Sequence, residues 1–361
     1  MSRPTVLTVV GARPQFVKAA PLSRALRRRV REVLVHTGQH YDPEMSDAFF
    51  EELSIPPPDH HLGVGSGSHA RMTARMLERL ETIMAGIRPD LVLVLGDTNS
   101  TLAGALAAAK LRIPIAHVEA GLRSFDPSMP EEVNRRLTDH VSELLFCPTK
   151  AAVANLRREG IRRGVTLVGD VMLDAVRQNL ARARARHRRP PLPPRSYYLA
   201  TLHRQENVDD PIRLAGIVSA LERMPRPVLL PVHPRTRNRL HQAALHPGRA
   251  VRLMPPVGYG EMLVLESGAR AILTDSGGVQ KEAYILGVPC ITLRDSTEWV
   301  ETIRAGANRL VGADPGRILR AVRSVDRRRR RRAPRGTYGT GRASEAIARE
   351  IVRFLSGRTR S

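Results

Sequence analysis

The sequence predicts an α/β fold with two Rossmann-like domains, each a parallel sheet wrapped by helices. Three observations carry this expectation. Short apolar runs of three to six residues alternate with helical patterns along the whole chain, the signature of parallel sheets covered on both faces. The 361 residues are 42% hydrophobic, enough for two cores. Polar and glycine residues recur where the apolar runs stop, the edge of a parallel sheet at which ligands bind.

The elements follow in order. Thr5 to Val10 is an apolar strand, Pro14 to Arg29 a helix and Glu32 to His36 a second strand. Leu91 to Leu95 is a strand ending at Gly96-Asp97, followed by an alanine-rich helix from Thr101 to Lys110. Ile115 to Val118 and Leu144 to Cys147 are further strands, and Pro130 opens a helix. A second series begins after Gly169-Asp170, with strands at 197–202, 228–232, 251–253, 271–273 and 288–293. Segment 181–196 is rich in Arg and Pro, lacks apolar periodicity and reads as an exposed connection. The boundary is placed near 169, giving domains 1–169 and 170–343. A last helix, 344–361, is expected to pack back on the first domain.

Composition excludes several classes. No apolar run has membrane-spanning length, and the N-terminus enters a strand directly, so neither membrane insertion nor a signal peptide is expected. Cys147 and Cys290 make no metal or CxxC spacing and read as buried free thiols of a cytoplasmic protein. The net charge is +23, but only four of the 58 basic residues are lysine (18, 110, 150 and 281). The arginines are scattered except at 327–332, and aromatics are 4%. A specific nucleic-acid reader would interleave aromatics or carry a groove-reading motif, so none is expected. No GxGxxG follows a strand. Gly63-Val-Gly-Ser-Gly67 follows no convincing strand and is taken as a mobile loop, which argues against a nicotinamide cofactor.

The most informative stretch is 272–291. A strand stops at Thr274-Asp275. Ser276, Gly277 and Gly278 then turn into a helix whose Val279, Ala283 and Leu286 share one face. Open amides at a helix start, with the dipole behind them, bind phosphate. Glu282, a turn further on, can reach sugar hydroxyls. A plain strand-loop-helix junction is the alternative. Arg13 and Lys18 stand near the start of the first helix, where cations cost stability unless an anion joins them; two solvated charges are the alternative. Asp97 ends a strand and could be an N-cap. Glu119 ends a buried strand and needs a partner, such as Arg123, or a task. Glu131 and Glu132 suit the first turn of a helix. His203 and His233 follow strands, where imidazole can serve a phosphate or a proton transfer or be structural. No histidine pair has ligand spacing with a carboxylate, so no metal is expected.

Taken together, these motifs resemble the non-hydrolysing UDP-N-acetylglucosamine 2-epimerases along essentially the full chain. The matching stretches are GARPQFVKAAPL (11–22), TGQHYD (37–42), GDTNST (96–101), HVEAGLRS (117–124), MPEEVNR (129–135), LHRQEN (202–207), VHPRT (232–236), LTDSGGVQKEA (273–283) and RDSTEWVE (294–301). The resemblance implies the glycosyltransferase-B architecture, two Rossmann-like domains facing across a cleft, no cofactor and a homodimer. It implies loss of the carbon-2 proton as UDP leaves carbon-1, giving 2-acetamidoglucal, then re-addition with a proton on the opposite face. The family's catalytic groups match Asp97, Glu119, Glu131 and His203. Its UDP contacts match Arg13, Lys18, Ser276, Gly277, Gly278 and Glu282. Some bacterial members bind a second UDP-sugar near residues matching Gln39, His40 and His233.

Two departures bear on the substrate. Trp299-Val300 stands where many members have Arg-Pro, and His203-Arg-Gln-Glu206 where many have His-Arg-Arg-Glu. The GARPQFVKAA, EWVE and GGVQKEA forms are closer to relatives that epimerise UDP-2,3-diacetamido-2,3-dideoxy-glucuronate. A glycosyltransferase of the same architecture would keep the diphosphate seat without requiring Asp97, Glu119 and Glu131 together. A hydrolysing epimerase would need water access, and a sugar-nucleotide sensor could lose the acids.

Overall fold

A computed structural model describes residues 3–39, 50–186, 190–327 and 336–358. The chain divides into two compact units, Met1–Arg177 with Gly336–Ser361, and Gln178–Arg335.

The first unit is built on a seven-stranded parallel sheet of order β3-β2-β1-β4-β5-β6-β7. Its strands are β1 (Thr5–Val10), β2 (Arg31–His36), β3 (His60–His61), β4 (Leu91–Leu95), β5 (Ile115–Val118), β6 (Leu144–Cys147) and β7 (Val165–Leu167). Leu91 to Leu95 are all fully buried because helices cover both faces of the sheet. Those helices are α1 (Arg13–Arg27), α2 (His69–Ile87), α3 (Asn99–Lys110), α4 (Pro130–His140), α5 (Lys150–Arg158) and the start of α6 (Val171–Arg186). The C-terminal helix α14 (Ala343–Arg358) belongs to this unit. Asp174 fixes its start by accepting from Ala343 N at 3.2 Å and Ser344 N at 2.8 Å. Arg28 and Arg29 of the α1 end pair with its Glu345 at 3.1 and 2.8 Å.

The second unit has a six-stranded parallel sheet of order β10-β9-β8-β11-β12-β13. Its strands are β8 (Tyr198–Thr201), β9 (Val228–Pro231), β10 (Val251–Met254), β11 (Ile272–Thr274), β12 (Cys290–Thr292) and β13 (Asn308–Leu310). The helices between them are α7 (Gln205–Val208), α8 (Pro211–Glu222), α9 (Pro234–Gln242), α10 (Tyr259–Gly268), α11 (Gly277–Leu286), α12 (Val300–Arg304) and α13 (Pro315–Arg327). Tyr198, Leu230, Leu273 and Ile291 pack with Ile318 and Val322 on one side. Tyr197, Leu229 and Ile272 pack with Leu265 and Ala283 on the other.

In both sheets the strand order reverses direction beside the first strand of the unit, between β1 and β4 and between β8 and β11. Chain leaving neighbouring strands at such a point diverges and opens a crevice for a ligand. Gly11–Arg13 and Gly96–Asp97 stand at the first switch point. His203 and Asp275–Gly278 stand at the second.

Two sequence expectations change. Gly63–Gly67 was expected to be a mobile loop after no strand. It follows the two-residue β3, and Val64 N and Gly65 N donate to Thr37 O and Gly38 O at 3.0 and 3.1 Å. Segment 181–196 was expected to be an exposed connection throughout, but α6 runs to Arg186. Its buried positions Ala175, Asn179 and Ala183 recur every fourth residue. Alanine and asparagine make that stripe hard to see, while arginine and alanine favour helix. Of the arginine block 327–332, Arg327 alone is described.

Candidate active site

The turns after β1, β4 and β5 are joined by buried polar side chains of the first unit. Gly11 N and Ala12 N donate to Gln15 Oε1 at 2.8 and 3.0 Å. The amide of Gln15 reaches across to Leu95 O at 2.8 Å, fixing the β1–α1 turn to the β4 end. Arg13, the first residue of α1, is exposed.

Glu119 is 4% exposed and has φ of +72°. A left-handed backbone costs a non-glycine residue about 1–2 kcal/mol, and such strain marks functional turns. Its carboxylate pairs with the Lys18 ammonium. A Cβ on Gly96 would lie 3.4 Å from Glu119 Oε2 and 3.7 Å from Lys18 Nζ, so this ion pair closes on the turn that carries Asp97. Arg123, offered as the partner of Glu119, is engaged elsewhere, with Asp139 and Glu159.

Asp97 does not cap α3. Thr98 does, accepting from Thr101 N. Asp97 Oδ2 instead accepts from Arg135 Nη2 at 2.6 Å and Nε at 3.0 Å, while Asn134 Nδ2 donates to Asp97 O at 2.9 Å. Both donors lie on α4, whose first turn carries Glu131 and Glu132. Glu132 faces inward and accepts from Ser124 N at 2.8 Å and Arg135 Nη1 at 2.9 Å. Glu131 is half-buried. The helix thus holds Asp97 through Arg135 and Asn134 and carries Glu131 in its first turn. Gln39 lies at the start of α3, accepting from Ser100 N and Oγ at 3.1 and 2.9 Å. His40 lies outside the described residues.

Beneath these turns runs a buried chain that motif reasoning missed. His117 Nε2 contacts Gly96 O at 2.7 Å and Nδ1 contacts Asp139 Oδ1 at 2.7 Å. Asp139 Oδ2 accepts from Gly121 N at 3.1 Å and pairs with Arg123 at 2.7 Å. Arg123 grips Glu159 through two further bonds of 2.7 and 2.6 Å. Burial alone would raise the Asp139 carboxyl. The charge and hydrogen bond of His117, then those of Arg123, outweigh it and hold Asp139 below the usual range.

In the second unit, Asp275 follows β11 directly and is fully buried. It accepts from His203 N at 3.1 Å, Arg204 N at 3.1 Å and Asn207 Nδ2 at 3.3 Å. His203 Nδ1 lies 3.1 Å from Asp275 Oδ1. Burial pushes the Asp275 carboxyl up, but the His203 side chain and these amides bring it below its ordinary value. The ring is therefore oriented by a carboxylate, with half its surface open. Ser276 caps α11, accepting from Val279 N at 3.5 Å, with Gly277 and Gly278 forming its first turn. Glu282 is buried in the same helix. His233 is the exposed N-cap of α9 and accepts from Arg235 N at 3.3 Å.

Behind Glu282, Glu266 of α10 is fully buried. Burial, then the charge of Glu282, pushes its carboxyl well above the usual range. The unfolded chain ionises a glutamate at pH ~4.3, whereas the folded protein holds the Glu266 proton to higher pH. Its contribution to stability is therefore full below that pH and is lost as pH rises through the folded value. Glu266→Gln removes the titration, so the variant's melting temperature should climb relative to wild type as pH increases from about 4.5. A difference that stays flat with pH would count against a neutral Glu266.

Both cysteines are free, buried and pushed up to about 12 chiefly by burial. Among the described residues, no helix is long and apolar enough to cross a membrane, and no group of three His, Cys, Asp or Glu residues could hold a metal ion.

The chain matches the family model described as UDP-N-acetylglucosamine 2-epimerase over residues 24–352. It is 51% identical to a UDP-N-acetylglucosamine 2-epimerase homolog of Methanococcus maripaludis, covering 88% of this chain and 91% of that protein. It is 48% identical to a UDP-2,3-diacetamido-2,3-dideoxy-D-glucuronate 2-epimerase of Pseudomonas aeruginosa, covering 97% of this chain and 99% of that protein. The crystal structure of Methanocaldococcus jannaschii UDP-GlcNAc 2-epimerase in complex with UDP-GlcNAc and UDP superposes with a TM-score of 0.87 at 43% identity, over 98% of this chain and 100% of that one. Two Rossmann-like units in one chain place the fold in the glycosyltransferase-B class. The paired strand-end sites and these likenesses agree: the chain belongs to the UDP-N-acetylglucosamine 2-epimerase family.

Proposed function

We propose that this protein is a non-hydrolysing 2-epimerase that interconverts UDP-N-acetylglucosamine and UDP-N-acetylmannosamine. The observation that carries the reading is Glu119, a buried carboxylate on a strained turn, paired with Lys18 and closed against the turn of Asp97. Strain and burial at one acid, with a second held by Arg135, suit proton transfer at a sugar carbon.

In the reaction, one carboxylate takes the carbon-2 proton as the carbon-1–oxygen bond breaks and UDP departs. The resulting 2-acetamidoglucal then accepts a proton at carbon-2 on the other face while UDP re-adds to carbon-1. Asp97, Glu119 and Glu131 supply the acid and base groups. The Asp275-oriented His203, Ser276 and the open amides of Gly277 and Gly278 stabilise the departing diphosphate, the Ser276 amide itself donating to Thr274 Oγ1 at 2.9 Å. Arg13 and Lys18 add positive charge to the nucleotide site, and Glu282 receives the ribose hydroxyls. The acids reside in domain 1–169, joined by helix 344–361, and the UDP seat in 170–343. A homodimer in the cytoplasm completes the reading, and Gln39, His40 and His233 are its candidates for a second UDP-sugar site.

The 48% identity to the Pseudomonas aeruginosa protein over nearly the whole chain supports a second substrate, UDP-2,3-diacetamido-2,3-dideoxy-glucuronate, with the same chemistry. Proton NMR in deuterated water separates the two. Deuterium at carbon-2 of UDP-N-acetylglucosamine with a second anomeric signal is the expected result. Exchange confined to the diacetamido-uronate would move the assignment to that sugar, and exchange in neither would sink the epimerase reading.

A further inference from the structure

Trp299 is the sole tryptophan of the chain. It is 6% exposed, and its indole Nε1 is a buried donor with no hydrogen-bond partner among the described residues. Leaving a buried N–H unpaired costs about 1–3 kcal/mol. The donor is open to an acceptor that the described residues do not supply.

Its position says which kind. A Cβ built on Gly277 would lie 3.5 Å from Trp299 Nε1. Gly277 opens the ten-residue helix α11, and Cα–Cβ bonds tilt toward a helix N-terminus. The indole N–H therefore borders the end where the first amides of α11 stand open. Beneath it, Lys281, one turn along the same helix, places Nζ 4.2 Å from the centroid of the Trp299 ring. A cation on the π face is held by the ring's electrons and draws density from the indole, which strengthens the N–H as a donor. An anion is the acceptor such a donor suits, since hydrogen bonds to charged groups are the strong ones.

We propose that Trp299 is a ligand-binding residue whose Nε1–H donates to the diphosphate of the nucleotide sugar at the start of α11. The inference rests on the assignment of the diphosphate to Ser276–Gly278 and adds a neutral donor to that seat. Glu298 closes the other side of Gly277, its Oε1 2.6 Å from the same Cβ position and its Oε2 3.2 Å from Arg294. That carboxylate is paired with Arg294, and of the two side chains beside this Cβ position the indole is the one that can donate to an anion.

One tryptophan gives one indole N–H resonance, which makes the test direct. UDP is titrated into the full-length, nitrogen-15-labelled protein, and calorimetry gives the affinity in parallel. The expected result is a downfield shift of the indole proton that saturates with the calorimetric Kd. Trp299→Phe should keep its melting temperature and bind UDP at least about tenfold more weakly. An unmoved indole signal in the presence of bound UDP would overturn the proposal, as would wild-type UDP affinity in a folded Trp299→Phe. If that variant fails to fold, the wild-type resonance decides alone. Failure of the seat itself reads differently: wild type would not bind UDP, or Ser276→Ala with Gly277→Val would leave its affinity unchanged.

Discussion

Glu119→Gln should lower turnover by about a thousandfold or more while UDP affinity stays within about threefold of wild type. Loss of a positioned acid or base removes about 10²–10⁴ in rate, and a thousandfold is about 4 kcal/mol of barrier. The amide fits the space of the carboxylate and its oxygen can still accept from Lys18, so the strained turn keeps its shape. What vanishes is the ability to take or deliver a proton. Asp97→Asn should behave alike, because an amide oxygen can still accept from Arg135. The two losses should not multiply, since in the proposed reaction both acids act on one reaction coordinate. Deuterium incorporation at carbon-2, anomeric NMR and UDP calorimetry on the same preparations check this. Wild-type rates in both variants would remove the acids from the mechanism. A parallel collapse of UDP affinity would instead assign them to binding.

The sheets were legible in the sequence because parallel strands are buried on both faces and read as unbroken apolar runs: Val6 to Val10 and Leu91 to Leu95 need no partner to be recognised. The strand-end placement of the candidate residues was legible because polar residues at the ends of such runs have few other places to stand. Elements with weaker signals were not. Helix α2 hides its Met76, Leu80 and Met84 stripe among charged residues, and β3 is two residues long. The connections between sites were the least readable. Asp275 is 72 residues from His203, and no spacing announces that one orients the other. Likewise no spacing announces that Lys18 pairs with Glu119, 101 residues away. One overlooked signal was in the sequence: His117 sits inside an apolar strand, and a histidine buried there requires partners on both ring nitrogens. Looking for those partners would have led to Asp139.

Asp139→Ala should be the most destabilising single change in the first unit. Asp139 is 1% exposed and joins His117, Gly121 N and Arg123. Removing one member of a buried ion network leaves the others desolvated and unpaired, at about 3–5 kcal/mol, or a drop of about 10 °C in melting temperature for a domain of this size. Glu159→Gln is the comparison. Its side chain is 20% exposed, water can replace part of what it gives Arg123, and its effect should be several-fold smaller. The pH dependence fixes the cause. Asp139 is held below its unfolded value, so its contribution is present above about pH 4 and disappears as pH falls through the folded value. The gap between wild type and Asp139→Ala should therefore be widest near neutrality and narrow in acid. A gap independent of pH would mean that lost packing, not charge, is responsible. Activity should fall even in the fraction of Asp139→Asn that stays folded. Asp139 holds Gly121 N beyond the Glu119 turn, and His117 carries its hold to Gly96 O before Asp97. The same side chain thus ties the turns that carry Glu119 and Asp97 to the buried ion network. A kcat loss with little change in KM, persisting where Asp139→Asn is fully folded, is the signature of that positioning, because misplaced acids cost the transition state more than the ground state.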